Sequence, residues 1–336
     1  MSERLKNLTI CAMALLLIAG IIASVFLGQF TITAHELWGI IKSQFTDIEP
    51  YWTSQQEHIL WTVRVPRILA ACIVGMALSC AGGVYQGVFE NPMAAPDFLG
   101  ASSGAALGAA LAIILGLGDK MITVMAFVFS LATICLVYLI GNRTRGNKTI
   151  GLVLSGLMVS ALAQAGTSFI KLVADQTNEL PEITYWLMGS LTGMEGQDVL
   201  YASIAMLIAV VPLMIIRWKI NILTIGEQEA ETMGVRVPLV RAVSLVCATL
   251  LTAAAVSIGG MIGWVGLVIP HFCRKIVGNN YKYLLPASML TGALFLLMVD
   301  NVSRNLFSVE IPIGILTAAI GAPFFIYLIT KGGERA

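Results

Sequence analysis

Few residues in this chain have the type and spacing to do chemistry, and those few are polar groups set into apolar stretches. Asp300 and Arg304 stand four apart, so on a helix they can pair and lower the cost of burying either one. Such a pair can equally be structural alone. Ser160, Gln164 and Ser168 also recur every fourth residue and form a neutral polar face leading toward Lys171. That face suits the wall of a substrate route or hydrogen bonding between helices, and the residues alone leave both open. His35, His58 and His271 are scattered, which gives no zinc spacing. The six cysteines, Cys11, Cys72, Cys80, Cys135, Cys247 and Cys273, lie in apolar runs without C-x-x-C spacing. They read as small hydrophobes rather than disulfides or metal ligands. Gly146-Asn-Lys-Thr149 lacks the spacing and the preceding strand of a phosphate-binding loop, so ATP is not bound here in that way. With no nucleophile–base constellation the chain is a poor enzyme, and with no mid-membrane Asp/Glu/His chain it is a poor proton-coupled transporter.

These groups must be positioned by membrane helices. Of 336 residues 57% are hydrophobic and 12% charged, against about 25% charged in a globular chain. A net charge of +1 argues against a nucleic-acid partner, which calls for a concentrated basic face. Apolar segments occur near 8–27, 68–89, 98–117, 121–141, 150–173, 199–216, 242–257, 261–277, 284–299 and 311–330, which predicts ten spans. Arg4 and Lys6 precede an uncharged run from Leu8 to Leu27, too long for a signal peptide and better read as a retained first span. Ten spans place both termini on one side. With that side inside, Lys42, Arg64, Arg67, Lys120, Lys171 and Arg304 lie outside, and the rest of the 20 Lys and Arg lie inside. Basic residues accumulate on the cytoplasmic face, so both termini are expected there.

Two connections are longer than a link needs. Residues 28–63 fall outside, with Trp38, Trp52 and Trp61 suited to the membrane interface. Residues 217–241 fall inside. There Thr224 and Glu227 fit a capping box opening a short helix, and Gly234 sits where it would stop. This helix is either a solvated surface element or one that a soluble partner reaches. Gly75, Ser79, Gly83 and Gly87 form one small-residue ladder, and Gly100, Gly104 and Gly108 a second after the Asn91-Pro92…Pro96 interruption. The spacing predicts a pair of tightly packed helices joined by a rigid kink. Arg64-Val-Pro66 recurs as Arg236-Val-Pro238, a hint of inverted repetition.

Several blocks carry a family likeness: RVPR at 64–67, FENPMAAPDFLG at 89–100, YWLMG at 185–189, IGEQEAETMGV at 225–235, GWVGLVIPHFCR at 263–274 and IPIGILTAAIGAPFFIYL at 311–328. With these the chain resembles, over nearly its whole length, the FecCD-type permease subunit of iron-siderophore, haem and cobalamin ABC importers. The resemblance implies an all-α, cobalamin-permease-like fold of about ten transmembrane helices. It implies one permease domain over 1–336 in the inner membrane, with a coupling-helix loop at about 217–241. It also implies no catalysis and no cofactor in this chain, since ATP and Mg are bound by separate ATPase subunits. The other implied partners are a substrate-binding protein, a second permease copy (identical or related) and membrane lipid.

Roles follow from the matching positions. Arg64, Arg67 and Arg304 match the outward arginines that receive acidic residues of the binding protein. Leu223, Gly226, Glu227, Ala230 and Gly234 match the coupling helix. Asn91 and Met93, with Thr149, match a cytoplasmic gate, although cobalamin permeases carry leucine where Met93 stands. Ser160, Gln164 and Ser168 become the translocation path. The cargo implied is a metal chelate, an iron(III)-siderophore first, with haem, cobalamin or molybdate as alternatives. An ion-coupled secondary transporter is the rival from another class.

Overall fold

The computed structural model describes residues 2–144, 148–307 and 309–332. The chain begins with α1 (Glu3–Phe26), α2 (Ala34–Ser43) and α3 (Ser54–His58), which runs through a π-helical turn, Ile59–Arg64, into α4 (Val65–Val88). A 3-10 turn, Pro96–Leu99, precedes α5 (Ala101–Ile114), α6 (Asp119–Asn142), α7 (Lys148–Val173) and α8 (Glu179–Met188). The remainder is α9 (Gly196–Leu223), α10 (Glu227–Thr232), α11 (Val237–Gly259), α12 (Val265–Val277), α13 (Tyr281–Asn305) and α14 (Ile313–Gly332). Each of the ten apolar segments has become a helix, and α2, α3, α8 and α10 lie between them. This is the all-α, polytopic membrane fold expected from the sequence.

Among the described residues seven helices, counting α3 through α4 as one, are long and apolar enough to cross a bilayer. The 14 residues of α5 and the 13 of α12 reach only about 20 Å at 1.5 Å per residue. Each is preceded by non-helical backbone whose Ala94, Leu99 and Ile262 are buried. Irregular backbone survives at membrane depth only where protein surrounds it, as here.

Helix α4 is the axis of the bundle. It packs against α13, α11, α12 and α9. A Cβ at Gly75 would overlap the Gly292 carbonyl of α13, and one at Gly82 the Gly266 carbonyl of α12. Small residues bring these backbones together: Gly75 and Ser79 of the first ladder face Gly292 of α13, while Gly82, outside the ladder, meets α12. The second ladder meets α6 instead, where Gly104 and Gly108 lie under Phe129 and Met125. The expected α4–α5 pair is therefore corrected: the two ladders serve different neighbours, because the 3-10 turn carries α5 away from α4 and onto α6. At the other extreme, α1 keeps most of its leucines exposed on the rim, as a lipid-facing helix does.

Two local expectations also change. The capping box at Thr224 is absent. Thr224 ends α9 with its hydroxyl on the Asn221 carbonyl, and Gly226 opens α10 without a side-chain cap. Gly234, at φ 79°, does stop α10, and the Val235 amide donates back to the Ala230 carbonyl at 3.0 Å. In the 28–63 connection Trp38 and Trp61 are exposed. Trp52 is buried with Ile32, Ile40 and Leu60 in a small core of its own, and its indole N–H donates to Glu57 Oε2 at 3.1 Å.

Candidate functional site

The long helix α9 separates α8 at one end of the bundle from α10 at the other, and each end gathers a set of polar side chains. The α8 end is organised by the RVPR stretch. Arg64 closes the π turn, and Pro66 stands at the junction of that turn with α4, where it cannot donate to the preceding turn. The π turn sends the two arginines different ways. Arg64 reaches the end of α1, donating from Nη1 to the Val25 carbonyl at 2.7 Å and from Nη2 to the Phe30 carbonyl. Arg67 turns to α13, with Nε 2.8 Å from Asp300 Oδ1 and Nη1 2.8 Å from both oxygens of Glu310.

Asp300 does face Arg304, at 3.4 Å, but its shorter bond is to Arg67. Arg304 spends its Nη2 on Ser24 Oγ at 2.7 Å, the Ser24 carbonyl at 3.1 Å and Asn301 Oδ1 at 2.5 Å. Glu310, in the α13–α14 connection, also accepts from the Thr192 hydroxyl at 2.6 Å. Burial alone would raise its pKa, yet the Thr192 hydroxyl and the Arg67 guanidinium outweigh that and hold it below the ordinary 4.5.

The three arginines, expected as outward docking groups, are 3%, 5% and 7% exposed. In this conformation they are buried and already bonded within the chain. The reason is sequence that their spacing could not reveal: Glu310 and the carbonyls of Val25 and Phe30 fold over them. Two guanidiniums, Arg67 and Arg304, meet two carboxylates, of which Glu310 keeps a 32% exposed side chain, while the third, Arg64, is bonded to the neutral carbonyls of Val25 and Phe30. Arg67 Nη2 is buried without a hydrogen-bond partner among the described residues. The cluster thus holds an excess positive charge and an unfilled donor in a poorly solvated place.

At the α10 end a knot of side chains between α4, α12 and α13 is built on neutral acceptors. Tyr281, at the start of α13, donates from its hydroxyl to the Gly83 carbonyl at 3.0 Å and from its amide to Asn221 Oδ1 at 3.4 Å. Arg274 of α12 donates to Gln86 Oε1 and, at 3.4 Å, to the Tyr281 hydroxyl. Gln86 in turn donates to the Leu267 carbonyl at 3.2 Å, and its own carbonyl accepts the Asn91 amide at 3.1 Å. Asn91 then holds the turn after α4, its Oδ1 accepting the Met93 amide at 2.9 Å, and the Met93 side chain is half exposed. Asn221, close to α10, is therefore joined through Tyr281, Arg274 and Gln86 to the Asn91–Met93 turn. Thr149 lies in the first turn of α7, and its side chain falls outside the described residues.

Of the residues expected to meet a partner at α10, Leu223 and Ala230 are buried and fasten the loop to the bundle. Gly226 and Gly234 shape its backbone at positive φ. Glu227 pairs with Arg241 of α11. The loop also exposes the apolar side chains of Trp218, Ile225, Met233 and Leu239, none of which was expected as a contact.

Along α7, Gln164 and Ser168 lie on an exposed face, and Gln164 reaches Ser103 of α5 at 3.4 Å. Ser160 is instead buried beside Gly100, where packing leaves no room for a Cβ, so it does not line that face. Glu310, Thr192, Gln86, Arg274 and Tyr281 were missed as a group. Glu310 directly precedes the Ile311-Pro312 block, and Gln86 is a lone amide in an apolar span; those were the available signals.

Comparison with known proteins agrees with this architecture. Residues 16–331 match the profile of the FecCD transport family. The molybdate import system permease protein MolB of Haemophilus influenzae is 36% identical over 96% of both chains. A probable iron chelatin transport system permease protein of Helicobacter pylori is 40% identical over 87% of both. The cobalamin import system permease protein BtuC of Halobacterium salinarum is 42% identical over 83% of this chain and 75% of its own. Among solved structures, an inward-facing metal-chelate type ABC transporter superposes with a TM-score of 0.86. It is 36% identical and covers 97% of this chain and 99% of that one.

Proposed function

The chain belongs to the FecCD transport family, and on that premise we propose that it is the membrane conduit through which an ATP-driven importer carries an iron(III)-siderophore into the cytoplasm. It is a multi-pass membrane permease. The observation that carries the finer reading is the separation of its polar groups. A charge-rich cluster stands at the α8 end, a hydrogen-bonded knot at the α10 end, and a neutral face of Gln164, Ser168 and Ser103 lies between.

In this reading the α8 end faces outward and receives a substrate-binding protein, both termini are cytoplasmic, and two permease copies enclose the route. The α10 loop meets the ATPase through Ile225, Met233 and Leu239. Movement there passes through Asn221, Tyr281, Arg274 and Gln86 to the Asn91–Met93 turn. The permease supplies no catalytic group; its two arrangements differ in packing, and the partners bias which is populated. The neutral face favours a bulky chelate over a bare anion, because an anion route is lined with donors of positive charge. A molybdate carrier is the second reading, favoured by a relative alike over nearly its whole length.

The test is uptake into proteoliposomes holding the permease, its ATPase and its binding protein. Accumulation of radiolabelled ferric siderophore, dependent on ATP, is the expected result. Uptake of molybdate but of no chelate would replace the first reading by the second. Accumulation driven by an ion gradient without the ATPase would overturn both.

A further inference from the structure

The arginines of the α8 end have affinity for carboxylate, yet the chain already holds one against them. Glu310 lies across Arg67 with both oxygens at 2.8 Å, steadied by the Thr192 hydroxyl at 2.6 Å. Its neighbour in the cluster, Asp300, is wholly buried and fixed between two guanidiniums. Glu310 differs in three ways. It sits in a connection rather than a span, it is partly exposed, and its anchor beyond Arg67 is a neutral hydroxyl in another connection. It is the carboxylate of the cluster that can leave without dragging a helix with it.

We propose that Glu310 is an internal stand-in for a partner's carboxylate, latched on Arg67 in the free permease and displaced when an acidic surface docks at the α8 end. Charge count and geometry carry it. With Arg64 counted beside Arg304, the buried cluster is short of one anion even with Glu310 in place, and Arg67 Nη2 has no hydrogen-bond partner among the described residues. An incoming carboxylate gains a planar fork that binds both its oxygens. Glu310 opposes it twice, by occupying Nη1 and by like-charge repulsion. The exposed Leu306, Phe307 and Val309, just before Glu310, give the arriving protein apolar contact around the exchanged ion pair. The latch would keep the arginines from unspecific anions and make docking answer to a carboxylate held at the right place.

This rests on the docking reading above, and the experiment separates the two. The purified substrate-binding protein of the same transport system is titrated onto the permease–ATPase complex in lipid nanodiscs. Wild type, Glu310→Gln, Thr192→Ala and Arg67→Lys are compared. Phenylglyoxal, which modifies accessible guanidinium groups, reports Arg67 by peptide mass spectrometry.

The latch predicts that Glu310→Gln binds about tenfold tighter, the size of one charge-assisted hydrogen bond no longer opposed. Thr192→Ala keeps the charge and loosens its anchor, so it should shift affinity the same way by about twofold and covers the case of a poorly folding Glu310 variant. Phenylglyoxal should label Arg67 more readily in both variants, and bound partner should suppress the label. Weaker or unchanged binding in Glu310→Gln and Thr192→Ala, with Arg67→Lys impaired, would make Glu310 a positioning group and overturn the latch while leaving docking intact. Equal binding by wild type and Arg67→Lys, or none by wild type, would remove the docking reading and the latch with it.

Discussion

The arginine clusters at the centre of the two ends, Arg67 with Arg304 and Arg274 with its neighbours, are held in opposite ways. At the α8 end Arg67 and Arg304 are buried against carboxylates. At the α10 end Arg274 is half-buried and bonds an amide oxygen and a phenol. Buried ion pairs cost much to separate, because either partner alone is left charged in a poor solvent. A guanidinium on neutral acceptors loses less when its bonds reshuffle. The α8 end thus resists rearrangement unless another charge intervenes, whereas the bonds around Arg274 can rearrange at lower cost.

The largest effect should come from breaking the rigid end. Asp300→Asn leaves Arg67 and Arg304 buried without their shared counter-charge and should cost about 3–5 kcal/mol. A collapse of thermal stability and of the monodisperse peak in detergent would show it; near-wild-type melting would end the contrast. Next, Arg274→Met removes the centre of the neutral knot and should cost less, about 1.5–3 kcal/mol. ATP hydrolysis by the assembled transporter should continue while uptake falls, and an equal fall of both would deny the knot a part in coupling.

A third effect is a matter of pH. The Glu310 pKa is depressed on folding, so its contribution is complete above the ordinary value of 4.5 and is lost as pH falls through the lower folded value. Wild-type melting temperature should drop across that interval, and Glu310→Gln should drop less. The smallest effect sharpens the comparison from the other side. Glu227 and Arg241 also pair, but the Glu227 side chain is 52% exposed, so Glu227→Gln should change stability by less than about 1 kcal/mol. A loss rivalling that of Asp300→Asn would show that exposure is not what sets the two ends apart.

How much of this was legible beforehand follows from the same contrast. Helices announce themselves by long apolar runs, so all ten segments could be drawn, including the shortened α5 and α12. Glycine ladders showed that backbones approach closely but not which neighbour they approach. That depends on the 3-10 turn at Pro96, which no spacing rule encodes. The Asp300–Arg304 pairing was visible because four residues make one helical step. The Arg67–Asp300 bond was not, since 233 residues separate its partners. Ser160 was misplaced because a four-residue repeat drifts around a helix of 3.6 residues per turn, carrying Ser160 toward Gly100 while Gln164 and Ser168 stay exposed. Trp52 was misassigned because tryptophan suits both a membrane interface and a small core, and only the positions of Ile32, Ile40 and Leu60 decide between them.

The span between Arg67 and Asp300 has a bearing on how the protein is made. A ribosome adding about 5–20 residues per second needs roughly 10–50 s to travel those 233 residues. Throughout that interval α4 already carries Arg67, whose anionic partners Asp300 and Glu310 do not yet exist. Nascent chains must therefore shelter that helix beside the insertion machinery or at the lipid headgroups until α13 arrives. A ribosome that stops short of α13 leaves Arg67 a stranded cation, so a truncated chain cannot close the core around α4.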